Sequence, residues 1–327
     1  MLIHWKKLCC LLLCLCCCLP ALAESGDGLI PLTEEELLDR MAAPAPEGEE
    51  DASAFLVLPE DLPMMDTDVF TLLLIGTDAY DDGQHGRSDA IILVRLDAAR
   101  KTIRMVSFLR DLYVKIPGRG SNRINASYAW GGPELLKKTL EANFGVTVDA
   151  YAEVNFERLI TVIDAIGGVT VEVSEAERRQ LNSILRFYNT HTGSPEEDQL
   201  LPESGEQLLT GKQALCYSRI RKIDSDFQRA SRQRKVIEAA FHRVMALDRL
   251  SLIALALHNM DAVTTDLSAE DVIKLAPLAL RSKNAAFSSM QVPAEGAYTN
   301  QTVSGMAVLV PNLKKNRQRL EAFLTAP

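Results

Sequence analysis

Cysteine is nearly absent from the body of this 327-residue chain. Six of its seven cysteines lie within the first 18 residues, and only Cys216 follows them. A disulfide framework and a cysteine-based metal site are therefore excluded for the remaining residues. Cys216 stands in an apolar helical segment, where a cysteine is typically a small buried hydrophobe.

Histidine is also scarce, with five residues in the whole chain. No two of them have the spacing of metal ligands, and neither a Ser-His-Asp nor a Cys-His arrangement is evident. The sequence also contains no P-loop and no Gly-x-Gly-x-x-Gly fingerprint. Hydrolase triads, histidine-based zinc sites and the common nucleotide-binding loops are thus excluded as sources of activity.

The chain has one marked apolar run near its start, and it is short. Lys6 and Lys7 precede twelve apolar residues, 8–19, and an Ala21-Leu22-Ala23 segment of the small-x-small cleavage type follows. A membrane-spanning helix needs about 20 apolar residues. We therefore predict that residues 1–23 form a signal peptide or signal-anchor and that the protein is exported. Both cleavage and retention as a membrane anchor remain open.

Negative charge is concentrated in one segment. The net charge is -9, and residues 24–68 contain fourteen acids against one base. Such a composition, with little apolar content, predicts a disordered spacer. Residues 69–327 are then close to neutral and form the predicted folded domain, whose motif-bearing core spans residues 69–245.

Apolar segments in this domain alternate between strand-like and helix-like patterns. Continuous apolar runs predict buried strands at residues 69–76, 90–96 and 102–107. A helix should begin at Pro133, capping boxes predict helices after Thr210 and Ser225, and residues 189–206 are predicted to be a surface loop. We also expect residues 287–292 and 306–310 to pair as strands. The sequence therefore predicts an α/β fold, a single-domain three-layer α/β/α sandwich with a mixed central sheet.

Polar clusters stand at the ends of the three predicted strands. Asp78 follows the first strand, Asp89 precedes the second, and Arg110 follows the third. If the first two strands are antiparallel neighbours, all three clusters lie at one end of the sheet. Two carboxylates beside a phosphate site favour Mg²⁺. The alternative is a turn aspartate and a salt bridge from Asp89 to Arg87.

Residues 219–233 contain four arginines and one lysine. Arg219 and Arg221 end one predicted helix, while Asp226, Arg229 and Gln233 share one face of the next. The planar guanidinium group of arginine can donate two parallel hydrogen bonds to one phosphate. The alternative is a solvated amphipathic helix. Three further cations are assigned to ordinary solvent-exposed surface: Arg232, Arg234 and Lys235.

These motifs, in this order, resemble those of the LytR-CpsA-Psr family of cell-envelope proteins. The resemblance covers roughly residues 69–245 and rests on eight segments. These are residues 72–78, 86–89, Ser107 with 110–111, and residues 123–132, 153–156, 166–169, 209–215 and 219–233.

The resemblance implies an extracytoplasmic phosphotransferase that moves a glycopolymer from a polyprenyl-pyrophosphate carrier to a peptidoglycan hydroxyl. Asp78 and Asp89 would hold Mg²⁺ or Mn²⁺ on the pyrophosphate. The pyrophosphate oxygens would be bound by Arg87, Arg110, Arg219, Arg221, Arg229 and Gln233. Three of these would also be catalytic: Arg110, Arg219 and Arg229. The protein would act at the outer face of a bacterial membrane or in the cell wall, held by its N-terminal segment or its lipid substrate.

Some positions depart from the family pattern. Tyr80 stands where an arginine often follows the first aspartate, and Leu109 where a proline is common. The first departure bears on the strength of phosphate binding or on the substrate class. A second hypothesis is a polyprenyl-phosphate-binding protein without transfer activity. A nucleic-acid partner is not expected, because export removes the protein from DNA and Asp224 and Asp226 interrupt the basic run.

Overall fold

The computed structural model describes residues 67–77, 86–246, 264–268 and 284–326, together with residues 271, 275, 278, 281 and 282. The predicted signal segment and nearly all of the acidic spacer lie outside the described residues, as does Asp78. The described strands are β1 (Val69–Thr77), β2 (Ser88–Asp97), β3 (Thr102–Phe108), β4 (Tyr113–Ile116), β5 (Gly120–Arg123), β6 (Ala150–Asn155), β7 (Val169–Val173), β8 (Gly205–Leu209), β9 (Thr264–Thr265), β10 (Ala286–Val292), β11 (Tyr298–Val303) and β12 (Met306–Pro311). The described helices are α1 (Asn125–Phe144), α2 (Phe156–Ala165), α3 (Glu175–Thr192), α4 (Gly211–Ser218), α5 (Asp226–Met245) and α6 (Leu313–Thr325).

A six-stranded mixed sheet forms the centre of the fold, in the order β10-β3-β2-β1-β6-β9. β1 pairs antiparallel with β2 and parallel with β6, and β3 pairs antiparallel with β2 and parallel with β10. Three two-stranded sheets surround it: β4-β5, β7-β8 and β11-β12.

Side chains alternate between the two faces of the sheet, and each face has its own core. In β1, Phe70 and Leu72 contribute to one apolar cluster, while Leu73 and Ile75 contribute to the other. The first cluster joins the sheet to α2, α3, α4 and α5, and the second joins it to α1 and α6. The α/β/α sandwich with a mixed sheet is therefore confirmed.

The apolar runs predicted the first three strands well. The helix predicted from Pro133 is confirmed: Gly131 and Gly132 have non-helical backbone angles, and α1 joins this helix across their kink to an earlier helical segment that begins at Asn125. The strand pairing predicted near the C-terminus was wrong. Residues 287–292 and 306–310 do not pair with each other; β10 pairs with β3, and β12 pairs with β11.

The region before the arginine cluster is more regular than expected. α3 extends to Thr192 and β8 begins at Gly205, so the predicted loop of residues 189–206 is shorter at both ends. The capping box of Thr210 and Gln213 is confirmed, whereas Ser225 caps α5 by position without a side-chain hydrogen bond.

α4 packs closely on α2, and this contact fixes the start of the arginine cluster. A Cβ atom at Gly211 would clash with the carbonyl oxygen of Ile160, so only glycine allows this approach. The backbone N–H of Gly211 also donates to Asp164 Oδ1 at 2.6 Å. α4 therefore ends at a fixed point, with Arg219 as its C-cap residue.

None of the described helices is both long enough and apolar enough to span a bilayer.

Candidate active site

The register of the central strands brings the predicted polar clusters to one end of the sheet. Thr77, the last residue of β1, lies opposite Ser88, the first residue of β2, at a local irregularity. Ser107 near the end of β3 lies opposite Ile92 of β2. The residues that precede β2 and those that follow β3 are therefore neighbours, as the sequence predicts.

Asp89 and Arg110 form an ion pair at this end of the sheet. Arg110 Nη1 donates to Asp89 Oδ1 at 2.5 Å, and both side chains are about one-fifth exposed. Burial alone would lower the pKa of the Arg110 guanidinium, but the hydrogen bond and the charge of Asp89 outweigh it and raise that pKa. Arg110 is therefore a permanent positive charge here.

The first turn of α5 and the residues before it supply two more arginines. Arg229 Nη1 lies 3.5 Å from Asp226 Oδ1, and Arg229 Nη2 donates to the carbonyl oxygen of Asp89 at 3.4 Å. Arg221 Nη2 lies 3.7 Å from Asp89 Oδ2, and its Nε lies 3.9 Å from Asp226. Three arginines from separate parts of the chain thus converge on two aspartates.

A small pocket lies between the β2–β3 end of the sheet and α5. Asp89 and Arg110 line it from the sheet side, and Arg229 and Gln233 line it from the helix. The remaining lining residues are Ala90, Ile91, Ser107, Phe108, Leu109 and Ala230. The arginine cluster is therefore more than a solvated helix face, because Arg229 is only 3% exposed and faces this pocket.

Several buried polar atoms near this pocket have no hydrogen-bond partner among the described residues. They are the Nε atoms of Arg110 and Arg229, the hydroxyls of Thr77 and Ser88, and Asp226 Oδ1. Arg110 Nε does lie 3.7 Å from Asp111 Oδ2, a longer ion-pair contact. A buried polar group left unsatisfied typically costs about 1–3 kcal/mol. Guanidinium N–H groups are donors only, so the missing partners are acceptors such as phosphate oxygens.

Two further arginines predicted to belong to the site are close in sequence to Asp89 and Arg221. Arg87 is exposed and precedes Asp89 by two residues; Arg219 is exposed and precedes Arg221 by two. Asp78 lies outside the described residues. The site roles assigned to these side chains stay predictions.

Asp89 is the described carboxylate that could contribute to a magnesium site. Within the described residues, no three His, Cys, Asp or Glu side chains cluster closely enough to hold a metal. Mg²⁺ needs fewer protein ligands, because it takes one or two carboxylates and completes its shell with waters and substrate oxygens. The Asp89 carboxylate is a hard oxygen donor of the kind that Mg²⁺ prefers, and in the described state it pairs with Arg110 and Arg221.

Two arginines assigned to the solvent-exposed surface are in fact buried. Arg232 is 4% exposed; its Nε donates to Glu177 Oε1 at 2.8 Å, and it also pairs with Asp224. Arg234 is 7% exposed, and its Nη1 donates to Ser107 Oγ at 2.7 Å. Lys235, by contrast, is exposed as predicted.

A signal for the burial of Arg234 existed in the sequence. Arg234 stands at helical spacing from Ala230, Ile237 and Phe241, three apolar residues that lie in or against the core. A charged residue on such a stripe is unusual and can mark a functional position. Ser107 belonged to a predicted polar cluster but was given no role.

The chain was compared with known proteins. The LytR_cpsA_psr family model matches residues 45–322. Over 213 residues the chain is 35% identical to TagU of Enterococcus faecalis, a polyisoprenyl-teichoic acid–peptidoglycan teichoic acid transferase, and the match covers 63% of this chain. The chain spans 64% of the length of that relative, slightly less than two thirds.

Solved structures have the same fold. TagT bound to LIIa-WTA superposes with a TM-score of 0.62 at 29% identity, covering 79% of this chain and 91% of that chain. TagT (YwtF) with bound octaprenyl pyrophosphate lipid gives a TM-score of 0.60 at 26% identity, covering 82% and 94%.

Proposed function

Because the chain belongs to the LytR-CpsA-Psr family, we propose that it is an extracytoplasmic phosphotransferase. It transfers a glycopolymer from a polyprenyl-pyrophosphate carrier to a cell-wall acceptor, such as a peptidoglycan hydroxyl. The relative TagU is a teichoic acid transferase by name, and one TagT structure holds octaprenyl pyrophosphate. Both support this assignment of donor and acceptor.

The observation that carries the proposal is the set of unsatisfied arginine donors around the pocket. Arg110 and Arg229 each have a buried Nε without a hydrogen-bond acceptor among the described residues, and both line the same small pocket. A pyrophosphate offers several anionic oxygens within a few ångströms, which matches this need. Arg87, Arg219 and Arg221 are exposed and would add positive charge for the rest of the donor.

The reaction requires charge stabilisation at the leaving group. The acceptor hydroxyl oxygen attacks the phosphorus that bears the glycan, and the bond from that phosphorus to the bridging oxygen breaks. Polyprenyl phosphate leaves with the electron pair, while the hydroxyl proton passes to a base or to solvent. Arg110, Arg219 and Arg229 stabilise the growing negative charge, and Gln233 adds a neutral hydrogen bond.

Charge must be rearranged when the donor binds. In the described state Arg110 and Arg221 both form ion pairs with Asp89. A phosphate that enters the pocket competes with this carboxylate for the two arginines. Asp78 and Asp89 would then hold Mg²⁺, or Mn²⁺, which supplies Lewis-acid stabilisation of the pyrophosphate oxygens when bound.

The N-terminal segment accounts for the site of action. A signal peptide or signal-anchor over residues 1–23 delivers the domain across the cytoplasmic membrane. The acidic spacer of residues 24–68 would let the domain reach a lipid carrier held in the outer leaflet.

A transfer assay tests the proposal. Purified protein is given a polyprenyl-pyrophosphate-linked glycan, Mg²⁺ and peptidoglycan, and glycan attached to peptidoglycan is measured. We expect Asp89→Ala and Arg219→Ala to lower the rate by about 100-fold, the scale of one lost charge-stabilising group. Lys235→Ala, at an exposed position of α5, is the control and should retain the wild-type rate.

Two outcomes would count against the proposal. Unchanged transfer in both variants would contradict the site. Tight binding of the lipid donor by wild-type protein with no transfer would favour the non-catalytic lipid-binding alternative.

A further inference from the structure

Arg234 is a buried cation that has no carboxylate partner among the described residues. Its side chain is 7% exposed, one of its nitrogens donates to Ser107, and its buried Nε has no hydrogen-bond partner there. Burial lowers the pKa of the guanidinium, but arginine stays protonated because its pKa starts far above neutrality. An uncompensated buried charge destabilises a fold, so its retention needs a reason.

Arg232, two residues earlier on the same helix, shows how a structural arginine is accommodated here. It is buried to a similar extent, and it pairs with both Glu177 and Asp224. The charge of this buried structural arginine is thus neutralised by two carboxylates. Among the described residues Arg234 receives only a neutral hydroxyl, which suggests that its negative partner is a bound molecule.

Ser107 connects Arg234 to the pocket. Ser107 lies near the end of β3, is 2% exposed and lines the pocket. Its Oγ accepts a hydrogen bond from Arg234, so its own hydrogen remains available to an acceptor. A hydroxyl that accepts from a cation becomes a stronger donor.

Two other side chains that line the pocket also have donors to satisfy. Arg110 and Arg229 are donors only, and among the described residues each has a buried Nε without a hydrogen-bond acceptor. An anionic ligand in the pocket would therefore be the natural acceptor for the Ser107 hydroxyl as well.

We propose that Ser107 donates a hydrogen bond to the pyrophosphate and that Arg234 is its positioning residue. Arg234 turns the lone pair of Ser107 towards itself and the hydroxyl hydrogen into the pocket, and it adds positive potential from behind. This inference rests on the proposed function, since the ligand it names is the pyrophosphate of the lipid donor.

The test uses two measurements on the full chain with geranylgeranyl pyrophosphate and Mg²⁺. Thermal unfolding is recorded without ligand, and the dissociation constant is measured by calorimetry. Arg234→Met should raise the ligand-free melting temperature by about 2–4 °C, because an uncompensated buried charge is removed. The same variant should weaken binding about tenfold or more, the value of a hydrogen bond to a charged group.

Matched variants separate this role from a purely structural one. Ser107→Ala should also weaken binding about tenfold, whereas Ser107→Thr, which keeps the hydroxyl, should bind within about threefold of wild type. Lys235→Met removes a charge from an exposed position of the same helix and should change neither quantity. The Ser107→Ala and Ser107→Thr pair decides the matter if Arg234→Met fails to fold.

The contradicting outcomes differ for the two proposals. Wild-type binding with unchanged affinity in Arg234→Met and Ser107→Ala would overturn this inference and leave the proposed function standing. A lower melting temperature with unchanged affinity in Arg234→Met would make Arg234 a structural residue. No binding by wild-type protein would contradict the proposed function and this inference with it.

Discussion

Replacement of Arg229 by methionine is the perturbation with the clearest expected effect on the site. Arg229 is 3% exposed and lines the pocket. Its contacts with Asp226 and with the carbonyl oxygen of Asp89 are long, at 3.5 and 3.4 Å, and its Nε has no acceptor among the described residues. Methionine preserves much of the apolar stem and removes the charge, so the packing of α5 against the sheet should survive.

The expected loss of affinity follows from the burial of Arg229. Removing one partner of a buried, hydrogen-bonded charge pair costs about 2–5 kcal/mol of binding free energy. Since about 1.4 kcal/mol corresponds to a factor of ten, the dissociation constant should rise about 30-fold or more. Folding stability should change far less, because the Arg229–Asp226 ion pair is long and Arg221 Nε remains 3.9 Å from the same Asp226 oxygen once Arg229 is gone.

Calorimetric titration with geranylgeranyl pyrophosphate measures this change directly. Lys235→Met is the control, since it removes one positive charge from an exposed position of the same helix. An Arg229→Met protein that binds within about twofold of wild type, as a surface charge change would allow, would refute the reasoning.

Three further predictions concern stability and the metal. Arg232→Met should lower the free energy of unfolding, measured by urea denaturation, by about 3 kcal/mol, because Glu177 loses a buried partner. The control is Arg179→Met, at a 73% exposed position, which should lower it by less than about 0.5 kcal/mol. Burial would raise the pKa of the Glu177 carboxyl, but hydrogen bonds from Ser174 and Arg232 lower it below its ordinary 4.5. The stability that this carboxylate contributes is therefore complete above pH 4.5 and is lost as the pH falls further. Between pH 7 and about pH 3.5, the urea midpoint of Glu177→Gln should therefore decline less than that of the wild-type protein. Asp89→Asn should raise the Mg²⁺ concentration that half-saturates transfer by about tenfold or more, and an unchanged Mg²⁺ titration would argue against a metal at Asp89.

The central strands could be predicted from the sequence because burial on both faces leaves a continuous apolar run. β1, β2 and β3 have this pattern, and their short connections make them neighbours. β10 could not be assigned in the same way, since it pairs with β3 from across most of the chain. The sequence predicts pairing with the strand-like segment at residues 306–310, and that prediction is wrong.

The site illustrates the same limit on the scale of side chains. Helical spacing grouped Asp226, Arg229 and Gln233 on one face, and the structure brings that face against Asp89 and Arg110. The same spacing could not reveal that Arg232 would meet Glu177, 55 residues earlier in the chain. Spacing describes one helix, whereas burial depends on what packs against it.

A structure of the protein with a polyprenyl pyrophosphate and Mg²⁺ tests the central claim most directly. The account predicts phosphate oxygens within hydrogen-bond distance of Arg110, Arg229 and Gln233, between the β2–β3 end of the sheet and α5. Pyrophosphate bound elsewhere, with the Asp89–Arg110 ion pair and the buried arginine donors unchanged, would contradict it.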